Sequence, residues 1–186
     1  LYSWIKKITQ ARTFHEMNVW ASSISVGSEG HLNLPFGNGV ERMLYNKTPG
    51  AILSNLNLNV HTRGHICRAA LEGIAFSFAY GMEIMQQDAL TLDLVRAGND
   101  NLFRSDIFSQ TVATLIGKPI EIYNTTGAIG AARAAGIENK SINDYSESVA
   151  SMDFVSEVEP IKDKQAYFEA YHKWKQELTK ALNNLK

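Results

Sequence analysis

Cysteine is all but missing: Cys67 is the only one among 186 residues. A single thiol excludes an internal disulfide and predicts a reducing, cytoplasmic setting. No apolar run approaches the roughly 20 residues that a membrane-spanning helix needs, so no membrane partner is expected. Neither sign of charge dominates, with 18 basic against 19 acidic residues and a formal net charge of −1. That balance lacks the basic surplus that a nucleic-acid partner calls for. Internal repeats and low-complexity tracts are absent. So are an initiator methionine and a secretory leader. The chain opens on Leu1, Tyr2, Trp4 and Ile5, an apolar start that reads as the inside of a helix and predicts a chain cut from something longer.

Familiar catalytic signatures are missing as well. There is no Gly-x-Ser-x-Gly elbow, no Walker A loop and no Gly-x-Gly-x-x-Gly fingerprint. The histidines (His15, His31, His61, His65 and His172) have no metal-ligand spacing with acidic or cysteine neighbours, and are expected to be solvated or capping. Cys67 falls on a predicted helix with no basic terminus beside it, which suits a buried, inert thiol.

What is present is the composition of a soluble globular domain, 45% hydrophobic and 20% charged, and residues 1–186 are expected to form one lobe. Residues 2–22 read as helix, in one piece or two, from Trp4, Ile5, Ile8, Ala11 and Phe14. Residues 23–50, rich in Gly, Ser, Asn and Pro, read as loop. A short strand is expected at 51–58. The clearest helix is 62–87, with an apolar stripe of Ile66, Ala70, Ile74, Phe78 and Met85. A second line of Ala69, Gly73, Ser77 and Gly81 makes a flat ridge for close backbone packing. Strands at 92–97 and 119–123 alternate with helices at 103–117 and 127–135. This order predicts an α/β fold with at least part of its sheet parallel. Residues 141–149 read as helical and 151–160 as a polar connection. A C-terminal helix over 161–184 carries Phe168, Tyr171, Trp174 or Lys175, Leu178, Leu182 and Leu185 on one side.

Two segments could carry a ligand. Ala97-Gly98-Asn99-Asp100-Asn101 leaves a strand and enters a helix, where open α/β sheets bind ligands. Gly98 would let backbone approach a flat ring or a phosphate, and Asn99 and Asn101 offer amides suited to an adenine edge. An ordinary strand-to-helix turn capped by Asp100 or Asn101 explains the same residues. Thr125-Thr126-Gly127-Ala128-Ile129-Gly130-Ala131-Ala132 reads as an N-cap and a slim helix lying tightly on the sheet, or as a ligand contact.

Taken in order, these segments resemble the FGGY carbohydrate kinases. Gly50-Ala51-Ile52-Leu53-Ser54 followed by His65 to Phe76, with Arg68-Ala69-Ala70-Leu71-Glu72-Gly73, is similar to that family's C-terminal signature, with Asn55 in place of its glycine. Leu34-Pro35-Phe36 and Glu41-Arg42 resemble a stretch of xylulokinase-like members. Gly117-Lys118-Pro119-Ile120 and Gly127 to Ala132 look like two further family segments. The agreement covers about 1–137. The family's adenosine motif is a glycine triplet and a small residue; here it reads Ala97-Gly98-Asn99-Asp100.

The resemblance implies an actin-like, ribonuclease H-type lobe with a mixed sheet flanked by helices. It would be the C-terminal, nucleotide-binding half of a two-lobe sugar kinase, partnered by its own N-terminal lobe. ATP and Mg²⁺ are the implied cofactors, with Gly98, Asn99 and Asn101 at the nucleotide. The implied reaction phosphorylates a ketopentose, D-xylulose first, giving the 5-phosphate. Ribulose, rhamnulose, gluconate or glycerol are alternative substrates, and a non-catalytic nucleotide-binding module is the alternative role. No aspartate of this chain fits the catalytic base, so no catalytic residue is expected in it, and the chain alone is expected to be inactive. An isolated half would expose an apolar cleft face, through which it could pair with a second copy.

Overall fold

A computed structural model describes residues 1–38, 42–87, 94–135 and 153–185. Helix α1 (Tyr2–Ile8) is followed by α2 (Phe14–Ser22), which starts where the Thr13 hydroxyl accepts the Glu16 amide at 3.0 Å. Such a side-chain cap satisfies an amide that has no partner within the helix. Strand β1 (Leu32–Phe36) pairs antiparallel with β2 (Gly50–Ser54), Leu34 opposite Ile52. The long helix α3 (Arg63–Gln87) comes next. Strand β3 (Val95–Gly98) lies parallel to β4 (Ile120–Tyr123), joined through α4 (Asp106–Ile116), which Gly117 ends in a left-handed conformation at φ 68°. Helix α5 (Gly127–Ala135) leads on, β5 (Phe154–Val158) adds antiparallel to β4, and α6 (Gln165–Asn183) closes the chain.

Helix α3 runs between two apolar clusters. On one side Cys67, Ala70, Leu71 and Ala75 pack with Tyr2, Ile5, Met17, Phe108, Val112 and Ile120. On the other, Phe76 and Ala79 meet Leu34, Phe36, Tyr171, Trp174 and Leu178. The small-residue ridge works as expected: a methyl at Gly73 would overlap the Asn33 carbonyl, so β1 lies directly on α3. Trp174 is fully buried, and its indole N–H donates to that same Asn33 carbonyl at 2.9 Å. No helix among the described residues is long and apolar enough to cross a membrane.

Several expectations need correction. Residues 32–36, expected as loop, form β1, because Leu32, Leu34 and Phe36 alternate into the core. In a two-stranded ribbon each strand keeps an unpaired edge, so Pro35 is tolerated. Residues 154–158, expected as a polar connection, form β5; its side chains are mostly exposed and its place rests on main-chain pairing with β4. Phe78 and Met85, expected on the apolar stripe of α3, stay exposed, as does Phe168 on α6, where Tyr167 and Ala170 are buried instead. The helix expected at 141–149 and Leu92 of the expected strand lie outside the described residues.

Candidate functional site

The carboxyl end of β3 opens into a cleft of about 710 Å³. One wall is the turn Asp100–Ser105; the other is built by Leu1, Tyr2 and Ser3 at the start of α1 with Phe14, His15 and Asn18 of α2. Ile74 of α3 lines it too. A parallel β-α-β unit leaves main-chain groups at this end with no strand to pair, which is why ligands collect there.

The turn is tightly held. The Asn99 amide donates to the Tyr123 carbonyl at 2.7 Å, and the Arg104 Nε–H to the Asn99 carbonyl at 3.1 Å. Asp100 caps the short helical turn Asn101–Arg104 by accepting the Asn101 amide at 2.8 Å. Asn101 itself sits in the left-handed region at φ 49° and is exposed, with one side-chain bond to Asp100 at 3.3 Å. Its remaining amide capacity faces solvent.

Across the cleft, the Tyr2 hydroxyl donates to Asn18 Oδ1 at 2.8 Å, and the Tyr2 ring stacks on Phe14 with centroids 5.7 Å apart. Burial pushes the Tyr2 phenol well above the usual tyrosine range, with Cys67 adding to the shift. It is therefore a neutral, apolar surface with a polar rim. Phe14 and Leu1 extend that surface, and Leu102 faces it from the other wall.

Of the three positions singled out in the sequence, Asn101 lines the cleft together with Asp100, whereas Gly98 and Asn99 are not among its lining residues. A Cβ on Gly98 would lie 2.5 Å from the Thr125 carbonyl, so the turn after β4 occupies the space that glycine leaves. The Thr126 hydroxyl caps α5 by accepting the Ile129 amide at 3.3 Å. Among the described residues nothing packs where Cβ atoms of Gly127 or Gly130 would stand, so tight packing of α5 on the sheet is not what those glycines serve. Leu1, Tyr2, Ser3, Phe14, His15 and Asn18 had no signal in the sequence, since only the tertiary fold brings α1 and α2 to the end of β3.

The histidines divide. His15 and His172 are exposed, and His61 and His65 cap the turn before α3 through Nδ1. His31 departs from expectation: it is fully buried and hydrogen-bonded to the Ser54 carbonyl. Cys67 is buried, its thiol pushed up to about 11 by burial despite Arg63 nearby. Among the described residues no three His, Cys, Asp or Glu side chains stand together as a metal site.

Residues 5–138 match the FGGY family of carbohydrate kinases, C-terminal domain. The chain is 33% identical over 124 residues to the glycerol kinase of Pseudothermotoga lettingae, covering 65% of this chain and 25% of that enzyme. Against the xylulose kinase of Haemophilus influenzae it is 28% identical over 105 residues, 56% of this chain and 21% of that enzyme. The chain thus spans about a quarter of the length of the curated relatives it matches. Among solved structures, xylulose kinase from Rhodospirillum rubrum superposes with a TM-score of 0.77 at 20% identity, covering 96% of this chain and 37% of that one. Plasmodium falciparum glycerol kinase with ADP gives 0.78 at 18%, covering 97% and 36%. The fold is accordingly the expected actin-like ATPase lobe, with mixed sheets flanked by helices.

Proposed function

The chain belongs to the FGGY family of carbohydrate kinases through its C-terminal domain, and from that premise we propose that it is the nucleotide-binding lobe of an ATP-dependent sugar kinase. The observation that carries the reading is the cleft at the carboxyl end of β3, with Asp100 and Asn101 on one wall and the Tyr2 and Phe14 surface on the other. A purine is flat, apolar on its faces and polar on its edge. Tyr2 and Leu102 suit the faces, the Asn101 amide suits the edge, and Arg104 at the cleft supplies a cation for phosphate. Gly98 and Asn99 would act by shaping the turn. Mg²⁺ would arrive on the nucleotide's phosphates and neutralise charge there. The reading assigns no catalytic residue to this chain. Phosphoryl transfer rests on positioning and charge neutralisation, so it would require the N-terminal lobe closed over this one.

For the acceptor we favour a ketopentose, D-xylulose, converted to its 5-phosphate. The support is the Leu34–Arg42 stretch and the opening Tyr2-Ser3-Trp4 helix, both similar to xylulokinase-like sequences. Relatives and structural neighbours named for glycerol, xylulose and gluconate share this lobe, which makes glycerol the first rival. A second role, nucleotide binding without phosphoryl transfer, draws support from the departure of Ala97-Gly98-Asn99-Asp100 from a glycine triplet.

The test is calorimetry of ATP–Mg²⁺ on the 186-residue chain and on Asn101→Ala and Tyr2→Phe. Asn101→Ala should weaken binding by about tenfold, the worth of one or two amide hydrogen bonds, while Tyr2→Phe should leave it intact. Gly98→Val is a poor probe because valine would strike the Thr125 carbonyl whether or not a nucleotide binds. Equal affinity in wild type and Asn101→Ala would refute the site. Phosphorylation of D-xylulose, glycerol and gluconate by the full-length parent then separates the substrates, and binding with no turnover on any of them would favour the second role.

A further inference from the structure

Three imidazoles meet, tilted against one another, where the turn before β1, the end of β2 and the start of α3 converge. The ring centroids of His31 and His61 are 5.6 Å apart, and those of His61 and His65 are 5.0 Å apart. His31 is 0% exposed and His65 5% exposed, which leaves little water to screen charge on either ring. Main-chain partners settle the tautomers. The Ser54 carbonyl can only accept, so His31 Nδ1 carries a hydrogen and donates it at 2.8 Å. The Asn57 amide donates to His61 Nδ1 at 3.0 Å, and the Thr62 amide to His65 Nδ1 at 3.1 Å. Those two nitrogens therefore hold lone pairs, and the hydrogens of His61 and His65 sit on Nε2.

The same assignment argues against a metal. A ring that accepts at Nδ1 and carries hydrogen on Nε2 has no lone pair left to ligate with. It also shows what acid does. A proton taken from solvent can bind His61 or His65 only at Nδ1, where it displaces the Asn57 or Thr62 amide. On His31 it can bind only Nε2, which is buried with no partner.

The surrounding charges offer compensation at His65 alone. From the turn before β1, Glu29 reaches His65 Nε2 at 3.6 Å and is half exposed. From α3, Arg63 lies over the Trp20 ring at 3.9 Å, and Arg68 is paired with Glu72 at 2.6 Å. β2 contributes the Ser54 carbonyl alone. The turn carrying Glu29 is itself under strain, with Gly27, Ser28, Glu29 and Gly30 all at positive φ, of which Ser28 at 47° and Glu29 at 50° are not glycine.

We infer that the His31–His61–His65 cluster is a proton-operated latch, which holds the 57–62 turn against the 27–31 segment while neutral and frees it when the rings take up protons. Burial and the neighbouring imidazoles already hold His31 below the ordinary histidine range, against the pull of the Ser54 carbonyl.

The experiment is amide hydrogen exchange of the 186-residue chain at pH 7.5 and 5.5, read as protection factors so that the intrinsic pH effect is removed. Wild type should lose about tenfold or more of its protection at 57–62 on acidification, the factor for one proton taken up over one pH unit. His61→Asn/His65→Asn places an amide oxygen where each Nδ1 stood and leaves only His31 to take a proton, so its protection there should fall at least about threefold less than that of wild type. Unchanged wild-type protection, or an equal loss in the double variant, overturns the latch. A separate reading on wild type needs no substitution: imidazole ¹⁵N shifts at pH 7.5 should report Nδ1–H for His31 and Nε2–H for His61 and His65. The opposite tautomers would overturn it as well.

Discussion

Glu72 illustrates what a residue's neighbours in sequence leave unsaid. Within Arg68 to Gly73 it reads as part of a familiar helical signature. In the fold its carboxylate is 2% exposed and accepts from Arg68 Nε at 2.6 Å, the Gly27 amide at 3.1 Å and the Ser28 hydroxyl at 3.2 Å. Arg68 in turn donates to the Ile24 carbonyl at 3.3 Å. Together they pin the strained Gly27–Gly30 turn to α3. Burial pushes the Glu72 carboxyl upward, and Arg68 with the Gly27 and Ser28 donors pulls it back. Glu72→Gln leaves a buried guanidinium without its counter-charge and should cost about 3–5 kcal/mol in urea unfolding. Arg68→Met/Glu72→Met, which removes both charges, should recover most of that loss. This clamp was not legible because its two halves lie 44 and 45 positions apart. Asn101 was legible, since its place after a strand and before a helix is a local property. Tyr2 and Asn18, on the facing wall, were not.

At the scale of elements, α3 was the most readable piece, and its glycines show how pattern becomes packing. Gly73 has no room for a methyl against the Asn33 carbonyl, whereas the nearest atom to a Cβ on Gly81 would be Met43 Sδ at 3.7 Å. Gly73→Ala should therefore force α3 and β1 apart and destabilise the chain by about 3 kcal/mol or more. Gly81→Ala meets only ordinary contact and should stabilise it by up to about 1 kcal/mol through helix propensity. Thermal unfolding of the two variants side by side checks both the sign and the contrast. The ridge was visible because a four-residue spacing is a helical property. Strand β1 was not, since Asn33 and Pro35 dilute an alternation that only Leu32, Leu34 and Phe36 carry. β5 escaped notice for a different reason: at the edge of its sheet it leaves Phe154 and Val155 exposed and turns only Val158 to the core, so no alternation marks it.

The whole molecule's response to pH follows from what it buries. His31 is held below the ordinary histidine range, so below about pH 6.5 the unfolded chain binds more protons than the folded one, and stability falls with acid. Tyr2 and Tyr171 are both raised by burial, as is Cys67, which reaches about 11. There the folded chain keeps protons that the unfolded one gives up, so stability falls again as pH rises through about 8.5 to 10. Urea midpoints should be level near pH 7–8 and decline on both sides; a profile still rising at pH 10 would contradict the burial of these groups. The strand–helix–strand order foretold the parallel β3–β4 pair, and the lobe's architecture followed from it. How α6 closes the other cluster could not be foretold. The bond from Trp174 to Asn33 spans 141 positions, so during synthesis β1 stays half-covered until Trp174 has emerged to seal it.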